Sequence, residues 1–326
     1  MVFGVDSHPT TPAATRDPTE GHLIHARGLI KRFGDFTAVD GIDVDVRRGE
    51  AFGFLGPNGA GKSSTMRMIG CVSPPTAGVL QILGLDPGRD GPRIRAKLGV
   101  CPQLDNLDLE LTVRENLTTY ARFFGIPRRV ARRRADELLD FVQLAERADS
   151  KVDPLSGGMR RRLTIARALV NEPEIVLLDE PTTGLDPQAR HLVWERLFRL
   201  KQQGVTLVLT THYMDEAEQL CDRLVVMDGG RIVAEGSPRA LITSYSTREV
   251  VELRFTGDSQ EVYAEKLAGV GERLEVLPDR ILLYVADGDE ALAEVQRRSL
   301  SPASVLVRRS SLEDVFLHLT GRTLVD

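Results

Sequence analysis

Gly56-Pro57-Asn58-Gly59-Ala60-Gly61-Lys62-Ser63-Ser64 lies between an apolar segment at residues 51–55 and a segment at 64–69 that is compatible with a helix. It matches the pattern G-x-x-x-x-G-K-[ST] at every fixed position. Glycines in such a loop let backbone N–H groups close around phosphate oxygens, and the helix that follows directs its positive end at the same anion. The stretch therefore predicts a phosphate-binding loop between a strand and a helix.

Two side chains of this loop carry its chemistry. Lys62 can place a positive charge on the β- and γ-phosphates of a nucleotide, and the hydroxyl of Ser63 can ligate Mg²⁺. A glycine-rich turn without function is the alternative, but the strand before the loop and the helix after it give the motif its required context. We therefore expect a nucleotide site.

A second polar pair follows an apolar strand. Residues 174–178 read Glu-Ile-Val-Leu-Leu and lead directly into Asp179 and Glu180. The carboxylate of Asp179 is expected at the carboxyl end of the sheet, beside the loop, where it can hold a magnesium-bound water. Glu180 projects differently and can polarise the attacking water as general base. Alone this pair would be an ordinary strand end, but beside a phosphate loop it predicts nucleotide hydrolysis.

A third motif gives a resemblance to a known family. Leu155-Ser156-Gly157-Gly158-Met159 resembles the LSGGQ-type signature of ATP-binding cassette (ABC) ATPases, in which the fifth residue is more often glutamine. The signature precedes the strand of Asp179 by about twenty residues, as it does in that family. The resemblance covers about residues 22–240. Further family elements occur in order at Phe33, Gln103, Gly184-Leu185-Asp186 and His212.

The resemblance implies a role for each of these further elements. Phe33 would stack on adenine, Gln103 would reach Mg²⁺ at a hinge, and His212 would be the catalytic switch that touches the γ-phosphate. Residues 184–186 would form a contact loop between subunits. Structural roles are the alternatives: core packing for Phe33, an exposed loop position for Gln103 and a strand end for His212.

The signature also has a consequence for assembly. In the family, it completes the nucleotide site of the opposite subunit. This chain has one phosphate loop and one signature, so the resemblance implies a homodimer that holds two ATP molecules, each with Mg²⁺. Ser156 and Gly157 could also cap and open a helix, a role compatible with phosphate binding because a helix N-terminus attracts anions.

The pattern of elements predicts an α/β fold, the ABC cassette of P-loop NTPases. We expect a mixed central sheet, an antiparallel layer built from strands at 23–29, 36–39 and 42–46, and a helical subdomain over about 105–160. Within that subdomain, Thr112 and Glu115 predict a helix start near Val113. The cassette would span residues 22–245, and residues 1–21 read as a disordered leader. Residues 246–326 alternate as β-α-β-β-α-β-α, which predicts a small α+β accessory domain.

Composition limits the function classes. No run of about 18 apolar residues is present, which argues against a transmembrane helix. The chain has 42 basic and 47 acidic residues, a net charge of −5, so it is not built to coat nucleic acid. An ABC ATPase of this kind would serve a separate multi-span permease and lie peripherally on the cytoplasmic face of the membrane. The alternative is a soluble ABC ATPase that regulates translation or another complex.

Three further segments narrow the resemblance. The resemblance is to the ATPases of nodulation-factor and daunorubicin-resistance exporters, and it lies in residues 105–116, residues 191–195 and the C-terminal segment from Ser311 to Gly321. Those ATPases work with a six-span permease of the ABC-2 class and export drugs, lipids or lipo-oligosaccharides, which implies multidrug efflux and antibiotic resistance among the possible roles. The permease would dock around residues 104–120.

A basic run lies in the same subdomain. Residues 128–134 read Arg-Arg-Val-Ala-Arg-Arg-Arg. This run could face a partner protein or lipid headgroups, and a solvated helix face is the simpler interpretation.

Overall fold

A computed structural model of the protein describes residues 21–256 and 260–321. The strands are β1 His22–Phe33, β2 Phe36–Arg47, β3 Ala51–Leu55, β4 Ala77–Ile82, β5 Leu98–Cys101, β6 Ile175–Asp179, β7 Thr206–Thr211, β8 Arg223–Asp228, β9 Arg231–Gly236, β10 Glu249–Arg254, β11 Arg273–Leu277, β12 Arg280–Val285 and β13 Ser304–Arg309. The helices are α1 Lys62–Ile69, α2 Pro87–Arg95, α3 Val113–Phe123, α4 Arg128–Phe141, α5 Gly157–Ala168, α6 Pro187–Gln202, α7 Met214–Leu220, α8 Pro238–Tyr245, α9 Gln260–Lys266, α10 Gly288–Arg297 and α11 Leu312–Thr320. Except for Gly21, the predicted leader lies outside the described residues.

The central sheet has six strands in the order β5-β6-β7-β3-β8-β9. The first five are parallel, and β9 runs antiparallel to β8 at one edge, so the sheet is mixed as predicted. Strands β3 and β7 are buried along their whole length, in keeping with a parallel sheet covered on both faces. The carboxyl ends of β3, β6 and β7 meet at one edge, which brings together the phosphate loop, Asp179 and His212.

A three-stranded antiparallel layer in the order β2-β1-β4 covers one face of this sheet. Its inner side chains share a core with the central sheet, including Phe52 and Phe54, whose rings meet edge to face at 5.3 Å. The predicted pair of short strands at 36–39 and 42–46 is wrong: residues 36–47 form one strand. Gly41, at φ 72°, lies within it, and β1 compensates by register shifts rather than by a break.

The helical subdomain contains α3 and α4, which pack on α5 around a core of its own. The predicted start of α3 is confirmed, because Thr112 Oγ1 accepts a hydrogen bond from the backbone N–H of Glu115 and Glu115 accepts one from Thr112 N. This reciprocal capping box satisfies two donors that the first helical turn leaves free.

Residues 249–320 form a four-stranded antiparallel sheet in the order β11-β12-β10-β13, with α9 and α10 on one face. Numbered within the domain, this order is 2-3-1-4, the arrangement of a split β-α-β unit. The element order agrees with the predicted β-α-β-β-α-β-α pattern.

The last helix, α11, joins this sheet to the cassette. Leu312, Val315 and Phe316 are fully buried in the core that α6, α7 and α8 form under the central sheet. The backbone N–H of Leu312 also donates to Glu218 of α7 at 2.7 Å. Residues 312–316 therefore follow the C-terminal sheet in sequence but belong to the hydrophobic core of the cassette, so they pack the two parts of the chain together. No helix in the described ranges is both long and apolar enough to cross a membrane.

Candidate nucleotide site

The phosphate loop, residues 56–63, is packed tightly against the strands beneath it. A Cβ added at Gly56 would lie 2.3 Å from the carbonyl oxygen of Met227, and one at Gly61 would lie 2.4 Å from that of Ala38. Gly61 has φ 99° and caps α1, whereas Gly59, at φ 83°, faces open space. Glycine is thus required for packing on the inner side of the loop, and the outer side leaves room for a phosphate group.

Lys62 opens α1 and is 4% exposed. Its Nζ donates to the carbonyl oxygens of Gly56 at 2.6 Å and Pro57 at 3.0 Å, both within the loop. Burial lowers the pKa of Lys62, and the negative charges of Glu180 and Asp179 offset part of this shift. A buried ammonium group held only by neutral carbonyls is poised to receive an anion, because a phosphate would compensate the desolvation of its charge.

Ser63 and Asp179 form the pair that the sequence predicts for magnesium. Ser63 Oγ donates to Asp179 Oδ1 at 3.3 Å, and Thr210 Oγ1 of the neighbouring strand donates to the same oxygen. A hydroxyl and a carboxylate oxygen side by side are the hard ligands that Mg²⁺ takes alongside waters and phosphate oxygens. The donor set fits the ion. Among the described residues, no hydrogen bond joins Gln103 to this pair, although all three side chains line one cavity.

Glu180 lies where three predicted residues converge. Gln103 Nε2 donates to its Oε2 at 3.0 Å, and Nδ1 of His212 lies 3.3 Å from its Oε1. The imidazole of His212 thus lies directly against the Glu180 carboxylate. The imidazole of His212, followed by the charge of Lys62, holds the pKa of Glu180 below its usual range. The carboxylate is therefore ionised near neutral pH, as a base that accepts a proton from water must be.

Arg161 is a central residue of the site that sequence reasoning missed. It lies on α5, one turn after the signature, and is 4% exposed. Its guanidinium donates to the backbone carbonyls of Pro102, Gln103, Asp179, Glu180 and Pro181. It thus ties the loop of Gln103 to the strand end that carries the two carboxylates.

A signal for Arg161 exists in the sequence. Arg161, Ile165 and Ala168 follow each other at the spacing i, i+4, i+7, which places the arginine on the buried face of an amphipathic helix. Arg160 and Arg162 are arginines too, so residue type does not tell which of the three is buried. Only its position on the helix, at the spacing that it shares with Ile165 and Ala168, identifies Arg161.

The other predicted residues have partners outside the phosphate loop. Ser156 caps α5 by accepting from Met159 N at 3.2 Å, and within the described ranges no hydrogen bond joins residues 155–159 to residues 56–64. Asp186 caps α6 through a 2.9 Å bond from Ala189 N. Phe33 ends β1 with its ring half exposed, and Lys31 Nζ lies 5.0 Å from the ring centroid. Among the described residues, no hydrogen bond thus ties the signature to the phosphate loop of its own chain.

Comparison with known proteins agrees with this geometry. Residues 39–183 match the ABC transporter family, and residues 260–321 match the family described as Nodulation factor export protein NodI, C-terminal domain. The chain is 47% identical to the Nod factor export ATP-binding protein I of Ralstonia nicotianae, over 93% of this chain and 95% of that protein. It is 48% identical to the protein of that name from Rhizobium sp. (strain N33), over 92% and 98%.

Solved structures of cassettes resemble the first two thirds of the chain. One is the dimeric structure of a post-hydrolysis state of an ATP-binding cassette bound to ADP and Pi, at 30% identity and a TM-score of 0.61, covering 66% of this chain and 98% of that one. Another is cbiO1 from Clostridium perfringens, part of an ABC transporter complex, at 28% identity and a TM-score of 0.64, covering 68% and 91%. The fold, the site and the relatives agree: the chain belongs to the ABC transporter ATP-binding proteins, an ATPase family, alongside the Nod factor export ATP-binding proteins I.

Proposed function

We propose that this ATPase energises export through a separate ABC-2 type permease, with a lipo-oligosaccharide or related lipid-linked molecule as cargo. The Gln103–Glu180 hydrogen bond carries the proposal, because it connects the catalytic carboxylate to an exposed surface. The next residue, Leu104, is 80% exposed and adjoins a groove between α3 and the central sheet. A partner that docks there would move Gln103 and thereby act on hydrolysis.

The docking groove is open, and apolar side chains form its rim beside three arginines, Arg95, Arg134 and Arg167. Val72 and Phe123 on its rim are 72% and 82% exposed, and Tyr120 and Ile126 line its wall. Large exposed apolar side chains that cluster in one groove are typical of a protein interface. A permease segment that presents an amphipathic helix to the cytoplasm fits this groove, and the ATPase would then lie peripherally on the inner face of the membrane.

Within the ATPase, the proposed roles follow from the geometry. Lys62 and the loop amides hold the phosphates, while Ser63 and Asp179, joined by Gln103 on closure, hold Mg²⁺. The ion supplies charge neutralisation on the phosphates when bound. Glu180 accepts the proton of the attacking water, and His212 senses the γ-phosphate.

The proposal also requires two chains. The signature of one chain, residues 155–159, would cover the ATP held by the loop of the other, with residues 184–186 at the contact between subunits. ATP binding would close this homodimer and hydrolysis would open it. The absence, within residues 21–256 and 260–321, of a hydrogen bond between signature and loop of one chain supports this arrangement.

Co-reconstitution with the permease in vesicles tests the coupling. ATP turnover should rise when the permease is present, and the Leu104→Asp substitution should abolish that rise, because a charge cannot enter an apolar interface. Phe198→Asp, at an exposed position of α6, is the matched control and should keep the stimulation. Equal stimulation of both variants would contradict docking at Leu104, and stimulation by no membrane partner would favour the soluble regulatory alternative.

The cargo is tested in the same vesicles. The names of the relatives favour a lipo-oligosaccharide, so ATP-dependent accumulation of such a molecule is expected. Accumulation of a cationic drug instead would favour multidrug efflux and antibiotic resistance.

A further inference from the structure

A cleft of about 490 Å³ lies along α3, where this helix faces the first turns of α4. Four arginines line it: Arg114, Arg122, Arg128 and Arg132. Two carboxylates, Glu115 and Asp149, also line it, so the cleft carries an excess of positive charge. The hydroxyl-bearing residues Thr118 and Thr119 lie in its wall.

The charge of this cleft is not balanced by the protein. Arg114 is paired with Asp136 and Asp149. Within residues 21–256 and 260–321, no ion pair or hydrogen bond is formed by the guanidinium groups of Arg122, Arg128 and Arg132. Three exposed arginines that converge without carboxylate partners are typical of a site for an external anion.

The orientation of charge along α4 points to the same conclusion. The helix has no acidic residue in its first turn, no side-chain cap at Pro127 and no basic residue in its last turn. Its arginines, at 128, 129 and 132–134, lie toward the positive end of the helix dipole, and its acidic residues lie toward the negative end. Arg128 and Arg132 are also a like-charge pair at i, i+4. This arrangement disfavours the helix by itself, and an anion bound between Arg128 and Arg132 would reverse the effect.

We propose that this arginine cleft binds a phosphate group, and that the phosphate belongs to an anionic phospholipid headgroup at the membrane surface. Arginine is suited to this chemistry because its planar donors match phosphate oxygens. Phe123, the residue after Arg122, is 82% exposed, so an apolar ring stands beside the cleft as in interfacial membrane sites. The same ring lines the proposed permease groove, so the orientation toward the membrane rests on the proposed function.

Binding to vesicles without permease or nucleotide tests this inference separately from transport. The wild-type protein should sediment with vesicles that contain phosphatidylglycerol and much less with pure phosphatidylcholine. Substitution of two cleft residues, Arg128→Gln with Arg132→Gln, should weaken the binding about tenfold, as expected for the loss of two arginines at an anionic surface. The matched control, Arg129→Gln with Arg133→Gln, removes the same charge from the same helix outside the cleft and should bind nearly as the wild type does.

The outcomes are distinct. If both double variants lose binding equally, or neither does, the cleft is not a site and the inference is overturned. A folding defect is excluded by thermal unfolding, because removal of the like-charge pair should leave the melting temperature unchanged or higher. Inorganic phosphate, compared with chloride at equal ionic strength, supplies the second arm. Inorganic phosphate could raise the melting temperature of the wild type but not of the Arg128→Gln/Arg132→Gln variant, while the protein binds no vesicles. In that case the cleft binds phosphate, and its assignment to a lipid headgroup is wrong.

Discussion

Glu180 adopts a backbone φ of 46°, in the left-handed region that residues other than glycine rarely enter. Neighbouring groups hold it there. Its N–H donates to Thr210, and its carbonyl oxygen accepts from Arg161. The turn away from the direction of β6 separates its carboxylate from that of Asp179, so that one can ligate a metal ion while the other accepts a proton. Strain of this kind is maintained at functional sites by surrounding bonds.

Glu180→Gln should therefore abolish turnover without preventing ATP binding. The amide keeps the size of the side chain but cannot accept a proton, so we expect phosphate release to fall by at least about 100-fold. ATP should then trap the closed dimer, which size-exclusion chromatography with ATP will detect. Glu137→Gln, at an exposed position of α4, is the control and should turn over normally. A monomer in ATP, or unchanged phosphate release, would refute the assigned role.

Arg161→Lys tests the contacts between the Gln103 loop and the strand end. A lysine ammonium has three donors and cannot span the five carbonyls that the guanidinium reaches, so we expect a loss of about 2 kcal/mol of folding stability. The kcat for ATP should fall while the KM changes little, because Arg161 touches no part of the loop at 56–63. Arg160→Lys, on the neighbouring face of α5, is the control. If Arg161→Lys and Arg160→Lys had equal kcat values, Arg161 would contribute to folding stability but not to turnover.

Among the helices and strands, the sequence predicted those in which capping residues or the pattern of apolar residues match the side chains that are buried in the structure. The start of α3 follows from Thr112 and Glu115, and β6 and β7 follow from continuous apolar runs. The short edge elements β9 and α8 were not predicted, because β9 alternates weakly and Ser237, the cap of α8, follows a glycine that reads as a linker. Whether such a segment forms a helix or a strand depends on tertiary contacts, and a short stretch of sequence does not show these contacts.

Helix α11 depends on Asp314, whose carboxylate is buried and accepts hydrogen bonds from Arg308 and from Ser311 N. Burial acts to raise the pKa of Asp314, but the hydrogen bonds from Arg308 and Ser311 and the charge of Arg308 together outweigh it, so the net shift is downward. A lowered pKa in the folded state stabilises the fold above the unfolded value of about 3.9, and this contribution is lost as the pH falls through the folded value.

Asp314→Asn should consequently lower the free energy of unfolding by about 2 kcal/mol at pH 7. The difference from the wild type should shrink as the pH falls below about 4, because the carboxyl of the unfolded chain then takes up a proton while that of the folded chain is still ionised, until the pH passes the folded pKa. Urea unfolding at several pH values measures both quantities. Glu313→Gln, exposed on the same helix, is the control; a difference from the wild type that stays constant with pH would contradict an ionic contribution of Asp314.

At the scale of the whole molecule, the sequence predicted the cassette and the composition of its site, since each motif is local. It did not predict the position of residues 312–316 inside the cassette core, because that contact joins segments about 100 residues apart. The arginine cleft was missed for another reason: its members come from both ends of α3 and from α4, and only the packing of these two helices brings them together.

Mixing two inactive variants tests the dimer. Lys62→Met removes the phosphate contact, and Ser156→Arg blocks the signature, so neither homodimer should hydrolyse ATP. A mixed dimer has one site with an intact loop and an intact signature, and random pairing should restore about a quarter of wild-type turnover. Phosphate release after mixing measures this. Lys62→Met mixed with itself is the control, and no recovery in the mixture would exclude a site shared between chains.

The insertion of α11 into the cassette core has a consequence for biosynthesis. Residues 312–316 leave the ribosome after α6, α7 and α8, so the apolar surface beneath the central sheet is covered only once α11 has been synthesised. A chain that lacks residues 312–316 should therefore expose apolar surface of this core and aggregate while it folds.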